Sequence, residues 1–116
     1  MNDTKGLTYD SDAAANFAHV TTGIDVASVA KFMLAKDRYE LGLGILPDDI
    51  DLDGATATTI RAMHPDLFPA DYVKRRYLSF PLQRAFIERD SGLNGEIIAR
   101  LLDADDAYMR KQGIID

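Results

Sequence analysis

The sequence predicts an all-α fold, an irregular bundle of five or six short helices with almost no strand. Apolar residues recur at helical spacing in several segments, and proline, glycine and capping residues separate those segments at short intervals. With 116 residues the chain can build one core, so we expect a single helical domain over residues 1–116 with a flexible N-terminal segment at 1–11. The composition, 47% apolar and 28% charged, is that of a globular protein.

The first two helices are predicted from their capping residues. Ser11 and Asp12 are candidate N-caps for a first helix that ends at Gly23. Asp25 is the candidate cap of the second helix, whose body VASVAKFMLAKDRYEL contains neither proline nor glycine, and Gly42 is placed to end it in the left-handed conformation. This second helix is apolar on two sides, which is typical of a helix that is central in its domain or shared with another subunit.

A loop is predicted over residues 43–54, because glycine and proline recur there too often for a helix. Asp49, Asp51 and Asp53 precede a glycine and copy the opening of an EF-hand calcium loop. The closing glutamate of such a loop would fall on Ile60, which cannot ligate a cation. We therefore expect an ordinary turn in which Asp53 caps the next helix, and a metal site on the three aspartates is only a weak alternative.

The remaining helices are predicted from the same signals. Pro65 ends a brief helix, Ser79 caps a helix with proline in its first turn, and Asn94 caps the last helix, EIIARLLDADDAYMRKQ. The predicted bounds before the last helix are 55–64, 70–78 and 80–90. The segments 70–78 and 80–90 are close enough in the chain to form either two helices or one kinked helix.

Composition excludes several classes of protein and partner. The chain has no cysteine, which removes disulfides, thiolate nucleophiles and cysteine-ligated metal centres. Its net charge of -6 repels phosphate backbones and anionic lipids, so neither nucleic acid nor a membrane surface is an expected partner. We find no signal-peptide pattern and no apolar run long enough to span a membrane, and a cytoplasmic location fits these features.

Two carboxylates fall on apolar faces of predicted helices. Asp105 lies in the middle of the apolar arc of the last helix, and Asp37 lies on one apolar face of the second. A buried, unpaired carboxylate is costly, so we expect a structural ion pair, a partly exposed turn or a cation from a partner chain. The alternative is a catalytic or ligand-anchoring role in a shared cavity together with His64, which otherwise simply caps the end of its helix.

The segment DYVKRRY supplies the candidate binding residues. Tyr72, Arg75, Arg76 and Tyr77 are candidates for contacting a ligand or a protein partner, and Phe80 would extend an aromatic wall beside them. Such a wall next to arginines suits a carboxylate or a phosphate. The simpler interpretation is a solvated helix surface, because the basic residues spread around the helix.

Function is therefore only broadly constrained by the sequence. We identify no nucleophile with its base, no oxyanion-hole signature and no cofactor loop, so no cofactor is expected and an independent enzyme is not favoured. The sequence favours a small non-catalytic interaction protein, an accessory or assembly subunit with a protein partner or a homo-oligomer, which buries the second or the last helix in an interface. The alternative is a small helical enzyme or ligand-binding domain for an anionic ligand, with a cavity lined by Asp37, His64, Arg75, Tyr77 and Asp105.

Overall fold

The computed structural model describes residues 9–114, and these form six α-helices. The helices are α1 (Ser11–Thr22), α2 (Val26–Leu43), α3 (Ala57–Met63), α4 (Ala70–Arg75), α5 (Phe80–Ser91) and α6 (Gly95–Lys111). Extended pairing within the described residues is limited to one antiparallel bridge between Leu52 and Ala55. The prediction of an all-α fold with almost no strand is confirmed.

The helices of the second half begin where their capping residues predicted. The Ser79 hydroxyl accepts a hydrogen bond from the backbone N–H of Leu82, and the Asn94 side chain accepts one from Ile97. Arg76 has φ 51, a left-handed conformation that non-glycine residues adopt rarely, and it ends α4. Because of this break, α4 and α5 are separate helices, and α4 is shorter than predicted.

Two N-caps differ from the predicted residues. Asp10, and not Ser11 or Asp12, caps α1, since its carboxylate accepts hydrogen bonds from two N–H groups of the first turn. Thr56 caps α3 through a capping box, with hydrogen bonds in both directions between it and the third residue of the helix. Asp53 was predicted to cap this helix, but it has φ 56 and lies inside the preceding tight turn.

The C-terminus of α2 also differs from the prediction. Gly42 was expected to be the left-handed cap, but it is a buried residue inside the helix. A Cβ atom at this position would lie 2.7 Å from side-chain atoms of Ile60 and Phe68, so the close approach of these residues requires a glycine. Gly44, with φ 89, takes the left-handed conformation instead, and the helix extends to Leu43.

The loop between α2 and α3 is ordered by a tight turn and by an arginine of α2. Asp53 and Gly54 both have positive φ, as in the type I′ turn that Asp-Gly pairs favour. Asp51 accepts a hydrogen bond from the N–H of Gly54 at 2.7 Å. Arg38 donates to the backbone carbonyl oxygens of Leu52 and Asp53, each at 3.1 Å. The turn is thereby attached to α2.

The described chain divides into two compact units, and the boundary falls inside α2. One unit comprises the described residues up to Met33 and from Asn94 onwards, and the other comprises Leu34–Leu93. The expectation of a single domain stays a prediction. None of the helices among the described residues is both long and apolar enough to cross a membrane.

The first unit is built on α1 packed against α6. Two small residues of α1, Ala14 and Ala18, are buried, and the ring of Phe17 lies 5.8 Å from that of Tyr108 on α6. The predicted apolar face of α6 is buried, and its buried apolar residues are Ile98, Leu101, Ala104 and Tyr108.

The core of the second unit is centred on three aromatic rings from α2, α5 and the segment before α4. The ring centroids of Tyr39, Phe68 and Phe86 lie between 5.5 and 5.9 Å from one another. Burial raises the pKa of the Tyr39 phenol, whose oxygen accepts a hydrogen bond from the N–H of Ser79. The other buried members of this core are Leu41, Leu43, Ala57, Ile60 and Leu67.

Candidate interaction surface

An exposed surface of aromatic residues and an arginine lies on α4 and the turn that leads into α5. Tyr77 and Phe80 are 51% and 71% exposed. The guanidinium of Arg75 lies 5.7 Å from the centroid of the Tyr77 ring, and the Tyr72 ring meets Tyr77 edge-to-face at 5.0 Å. We call these four residues the α4–α5 patch. The structure thus brings together three of the four predicted binding residues, and Phe80 follows Tyr77 by three positions in the chain.

The local backbone explains why these side chains are exposed. The left-handed Arg76 ends α4 after only six residues, so Tyr77 lies outside the helix. Ser79 then begins α5, and Phe80 is its first residue. The buried residues of α5, which include Phe86 and Ile87, occur later in the helix. The aromatic side chain at the start of α5 is therefore left outside the core.

A groove lies in the same unit between the loop after α2, α3 and the end of α4, with a volume of about 710 Å³. Two arginines line it. Nε of Arg61 donates to the carbonyl oxygen of Gly42 at 2.7 Å, and Nε of Arg76 donates to that of Gly44 at 2.9 Å. Both guanidiniums are thereby fixed at the C-terminal end of α2, where backbone carbonyls favour cations. Asp48 lies 3.6 Å from Arg61 at the groove.

Asp105 is buried in the first unit, as its position on α6 predicted. Its side chain is only 3% exposed, and it accepts a hydrogen bond from the hydroxyl group of Tyr9. The Tyr9 ring also meets the ring of Tyr108 edge-to-face at 5.8 Å. Tyr9 is therefore held against α6, whereas residues 1–8 of the predicted flexible segment lie outside the described residues.

Asp37 is half-buried, and it does not lie on the most deeply buried side of α2. That side carries Phe32, Ala35 and Tyr39, which are fully buried. The face assigned to Asp37 from the sequence is mixed, since Val26 is largely exposed whereas Val29 and Leu41 are buried. The second apolar side of α2 thus carries fully buried residues, and at about 100° per residue Asp37 lies nearly opposite to it on the helix.

His64 ends α3 and belongs to a surface cluster of charged residues. Its Nδ1 atom lies 3.3 Å from the Arg89 guanidinium, and its ring meets that of Phe86 at 5.1 Å. Arg89 also donates two hydrogen bonds to the Asp66 carboxylate, at 3.0 and 3.1 Å. These hydrogen bonds lower the pKa of Asp66 below its usual value. The predicted role of His64 as a helix-terminal residue agrees with this position.

A single cavity containing all five residues of the alternative site stays a prediction. Asp105 belongs to the first unit, and Asp37, His64, Arg75 and Tyr77 belong to the second. Within the second unit, Arg75 and Tyr77 contact each other, but the ring and ion contacts of His64 are with other residues.

Two of the three aspartates that suggested a calcium loop contact other residues. The Asp51 carboxylate accepts the turn hydrogen bond from Gly54, and the Asp53 carboxylate lies 3.9 Å from Arg38. Asp49 is exposed. Across residues 9–114, no group of three histidine, aspartate or glutamate side chains is arranged to hold a metal ion.

Comparison of the chain with models of protein families, with curated proteins and with solved structures found no match. Functional inference therefore depends on the surfaces of this chain. Sequence reasoning missed Arg61, because its place in the groove depends on the close approach of Ile60, the residue before it, to Gly42. The local signal that could have suggested this approach is a glycine within an otherwise regular helical pattern.

Proposed function

We propose that the protein is a non-catalytic helical interaction module that binds a protein partner through the α4–α5 patch. Two observations carry this proposal: Tyr77 is exposed beside Arg75, and Phe80, three positions further along the chain, is also exposed. Tyrosine, phenylalanine and arginine are enriched in the central parts of protein interfaces, and tyrosine and arginine are frequent among the residues that contribute most to binding. A partner that covers both rings would remove a large apolar area from water.

The geometry of the patch also favours binding because part of it is already ordered. The rings of Tyr72 and Tyr77 meet edge-to-face, and the guanidinium of Arg75 lies over the Tyr77 ring. Arg75 is itself held by an ion pair with Asp71, one helical turn away, at 2.8 Å. A side chain that is ordered before binding loses less conformational entropy when the complex forms.

The helix faces first expected to form the interface are largely covered within the chain. On α2, Phe32, Ala35 and Tyr39 are fully buried, and on α6, Ile98 and Leu101 are fully buried. The α4–α5 patch, which is exposed, is therefore the contact surface that we propose in place of these helix faces. A role as an accessory or assembly subunit in the cytoplasm fits the lack of cysteine and stays part of the proposal.

Affinity capture with matched variants tests this function. The full chain carries an affinity tag and is used to capture proteins from its native host, followed by quantitative mass spectrometry. The double variant Tyr77→Ser, Phe80→Ser should lose a partner that the wild-type chain retains at fixed stoichiometry. The control is Val20→Ser on α1, because Val20 is as exposed as Phe80, at 71%.

The control variant should retain the partner, since Val20 lies outside the patch. Equal recovery of every captured protein by the wild-type chain and the double variant would refute binding through the patch. Circular dichroism of both variants checks that the helices remain folded. Substitutions at such exposed positions usually change stability by no more than about 0.5 kcal/mol.

A further inference from the structure

The groove beside the α4–α5 patch presents two fixed guanidiniums. Arg61 and Arg76 each use Nε to bind a carbonyl oxygen at the end of α2. An outer nitrogen of Arg61 lies 3.6 Å from Asp48, whereas none of the ion pairs among residues 9–114 involves Arg76. An arginine that is already oriented by its Nε hydrogen bond can donate from its outer nitrogens to a carboxylate with little further ordering.

The charges around the groove favour a monoanion. The ionisable groups lining it are Arg61, Arg76 and Asp48, which together carry one net positive charge. The carbonyl oxygens of Gly42 and Gly44 add partial negative charge at the same place. A dianionic phosphate would meet Asp48 and these carbonyls with more repulsion than a carboxylate would. The electrostatics therefore favour a singly charged anion, such as one carboxylate.

The remaining walls of the groove are suited to an apolar side chain. Ile45 is 43% exposed, and Leu46 and Val73 are half-buried beside it. The volume of about 710 Å³ is in the range of binding pockets and is much larger than a carboxylate needs. The groove and the α4–α5 patch are also linked through consecutive residues, because Arg76 lies between Arg75 and Tyr77.

We infer that the groove binds an acidic peptide segment of the protein partner, in which one carboxylate pairs with Arg76 and Arg61 and a neighbouring apolar side chain contacts Ile45, Leu46 and Val73. This inference rests on the proposed function, since the peptide belongs to the partner that contacts the α4–α5 patch. The inference therefore predicts that the binding segment of the partner contains an aspartate or glutamate next to an aliphatic residue.

The test is a titration of the full ¹⁵N-labelled chain followed by nuclear magnetic resonance. The probe is the acetylated and amidated tetrapeptide Ala-Glu-Leu-Ala, compared with the same peptide containing glutamine in place of glutamate. The glutamate peptide should shift the amide signals of Gly44, Ile45 and Arg76. The glutamine peptide should bind about tenfold more weakly, because it lacks the charge-assisted hydrogen bonds to the guanidiniums.

Two variants locate the interaction. Arg76→Gln should weaken binding of the glutamate peptide about tenfold, for the same reason as the glutamine peptide. Arg84→Gln removes an equal charge from an exposed position on α5 outside the groove and should leave the affinity unchanged. The amide spectrum of each variant shows whether the fold is retained, and Arg61→Gln provides a second groove variant should Arg76→Gln unfold.

Several results would overturn the groove inference. These are no binding of the glutamate peptide, equal binding of the two peptides, or equal affinity in wild type and the groove variants. Sodium acetate or inorganic phosphate that matches the affinity of the glutamate peptide would also overturn it, because a free anion would then suffice. Each of these leaves the proposed function standing, since loss of the partner in Tyr77→Ser, Phe80→Ser is measured separately.

Discussion

The substitution Gly42→Ala is expected to destabilise the protein, although alanine is the better helix former. Alanine in place of glycine inside a helix favours folding by about 1 kcal/mol. At this position, however, the added methyl group would lie 2.7 Å from atoms of Ile60 and Phe68, whereas carbon atoms pack well at roughly 3.5 to 4.0 Å. The Phe68 ring cannot move freely, because it packs against Tyr39 and Phe86.

The net effect follows from these two opposing terms. Overpacking of a close-packed core costs about 1 to 3 kcal/mol, and the clash here involves atoms of two buried side chains, so the upper part of that range applies. After the helix-propensity gain is subtracted, Gly42→Ala should lower the free energy of unfolding by about 1 to 2 kcal/mol. For a chain of this size the melting temperature should fall by roughly 4 to 8 °C.

Thermal unfolding followed by circular dichroism measures this change. The matched control is Gly95→Ala at the start of α6, where a Cβ atom would meet nothing within 4 Å. The control should be neutral or more stable than wild type by up to about 1 kcal/mol. If Gly42→Ala is as stable as Gly95→Ala, the close approach of α2 to Ile60 and Phe68 is wrong, and with it the placement of Arg61 in the groove.

Three further changes test the contacts of the ionisable groups. Tyr9→Phe removes the hydroxyl that donates to the buried Asp105 carboxylate and should lower the free energy of unfolding in urea by about 1 to 3 kcal/mol. Arg38→Lys should lower the free energy of unfolding by about 1 to 2 kcal/mol in the same assay. The reason is that one ammonium group cannot make all the hydrogen bonds of the guanidinium, which reaches Asp90 and two backbone carbonyls. The pKa of Asp66 is lowered by hydrogen bonds from its arginine partner, so the stability from this pair is present above the usual carboxyl pKa of 3.8 and is lost as the pH falls below it. When the free energy of unfolding is measured in urea at about pH 6 and about pH 2, Asp66→Asn should therefore lose less stability between the two pH values than the wild-type chain.

Each of these predictions has a result that contradicts it. Tyr77→Phe is the control for Tyr9→Phe, because it removes an exposed hydroxyl and should leave the free energy of unfolding nearly unchanged. If both variants lose the same stability, the Tyr9 hydroxyl has no special role. Arg84→Lys is the exposed control for Arg38→Lys and should also be nearly neutral. If the free energy of unfolding of Asp66→Asn falls at low pH as much as that of the wild-type chain, other carboxylates cause the loss of stability in acid.

Features that depend on nearby residues could be predicted from the sequence. The caps at Ser79 and Asn94 follow from side chains that accept hydrogen bonds from their own helix, and both are confirmed. The burial of Asp105 follows from the apolar residues around it on one amphipathic helix. The exposed aromatic residues were among the candidates because of their residue types, although their exposure became clear only from the structure.

Features that depend on residues far apart in the chain could not be predicted. Gly42 resembled a helix cap because the sequence shows two glycines near the end of α2, and only the approach of Ile60 and Phe68 shows which of them is inside the helix. The groove also depends on distant residues, since Arg61 of α3 and Arg76, which follows α4, both bind backbone carbonyls near the end of α2. Local sequence patterns contain no information about contacts between residues that are far apart in the chain.

Site-specific photo-cross-linking tests the central claim, binding of a protein partner through the α4–α5 patch, most directly. The photo-reactive amino acid p-benzoylphenylalanine replaces Phe80 in one sample and the equally exposed Val20 in the other, and both are irradiated in cells of the native host. The account predicts a discrete cross-linked species from position 80 that is absent from position 20 and is lost when Tyr77→Ser is added. Identical cross-linked proteins at both positions, or none at position 80, would contradict it.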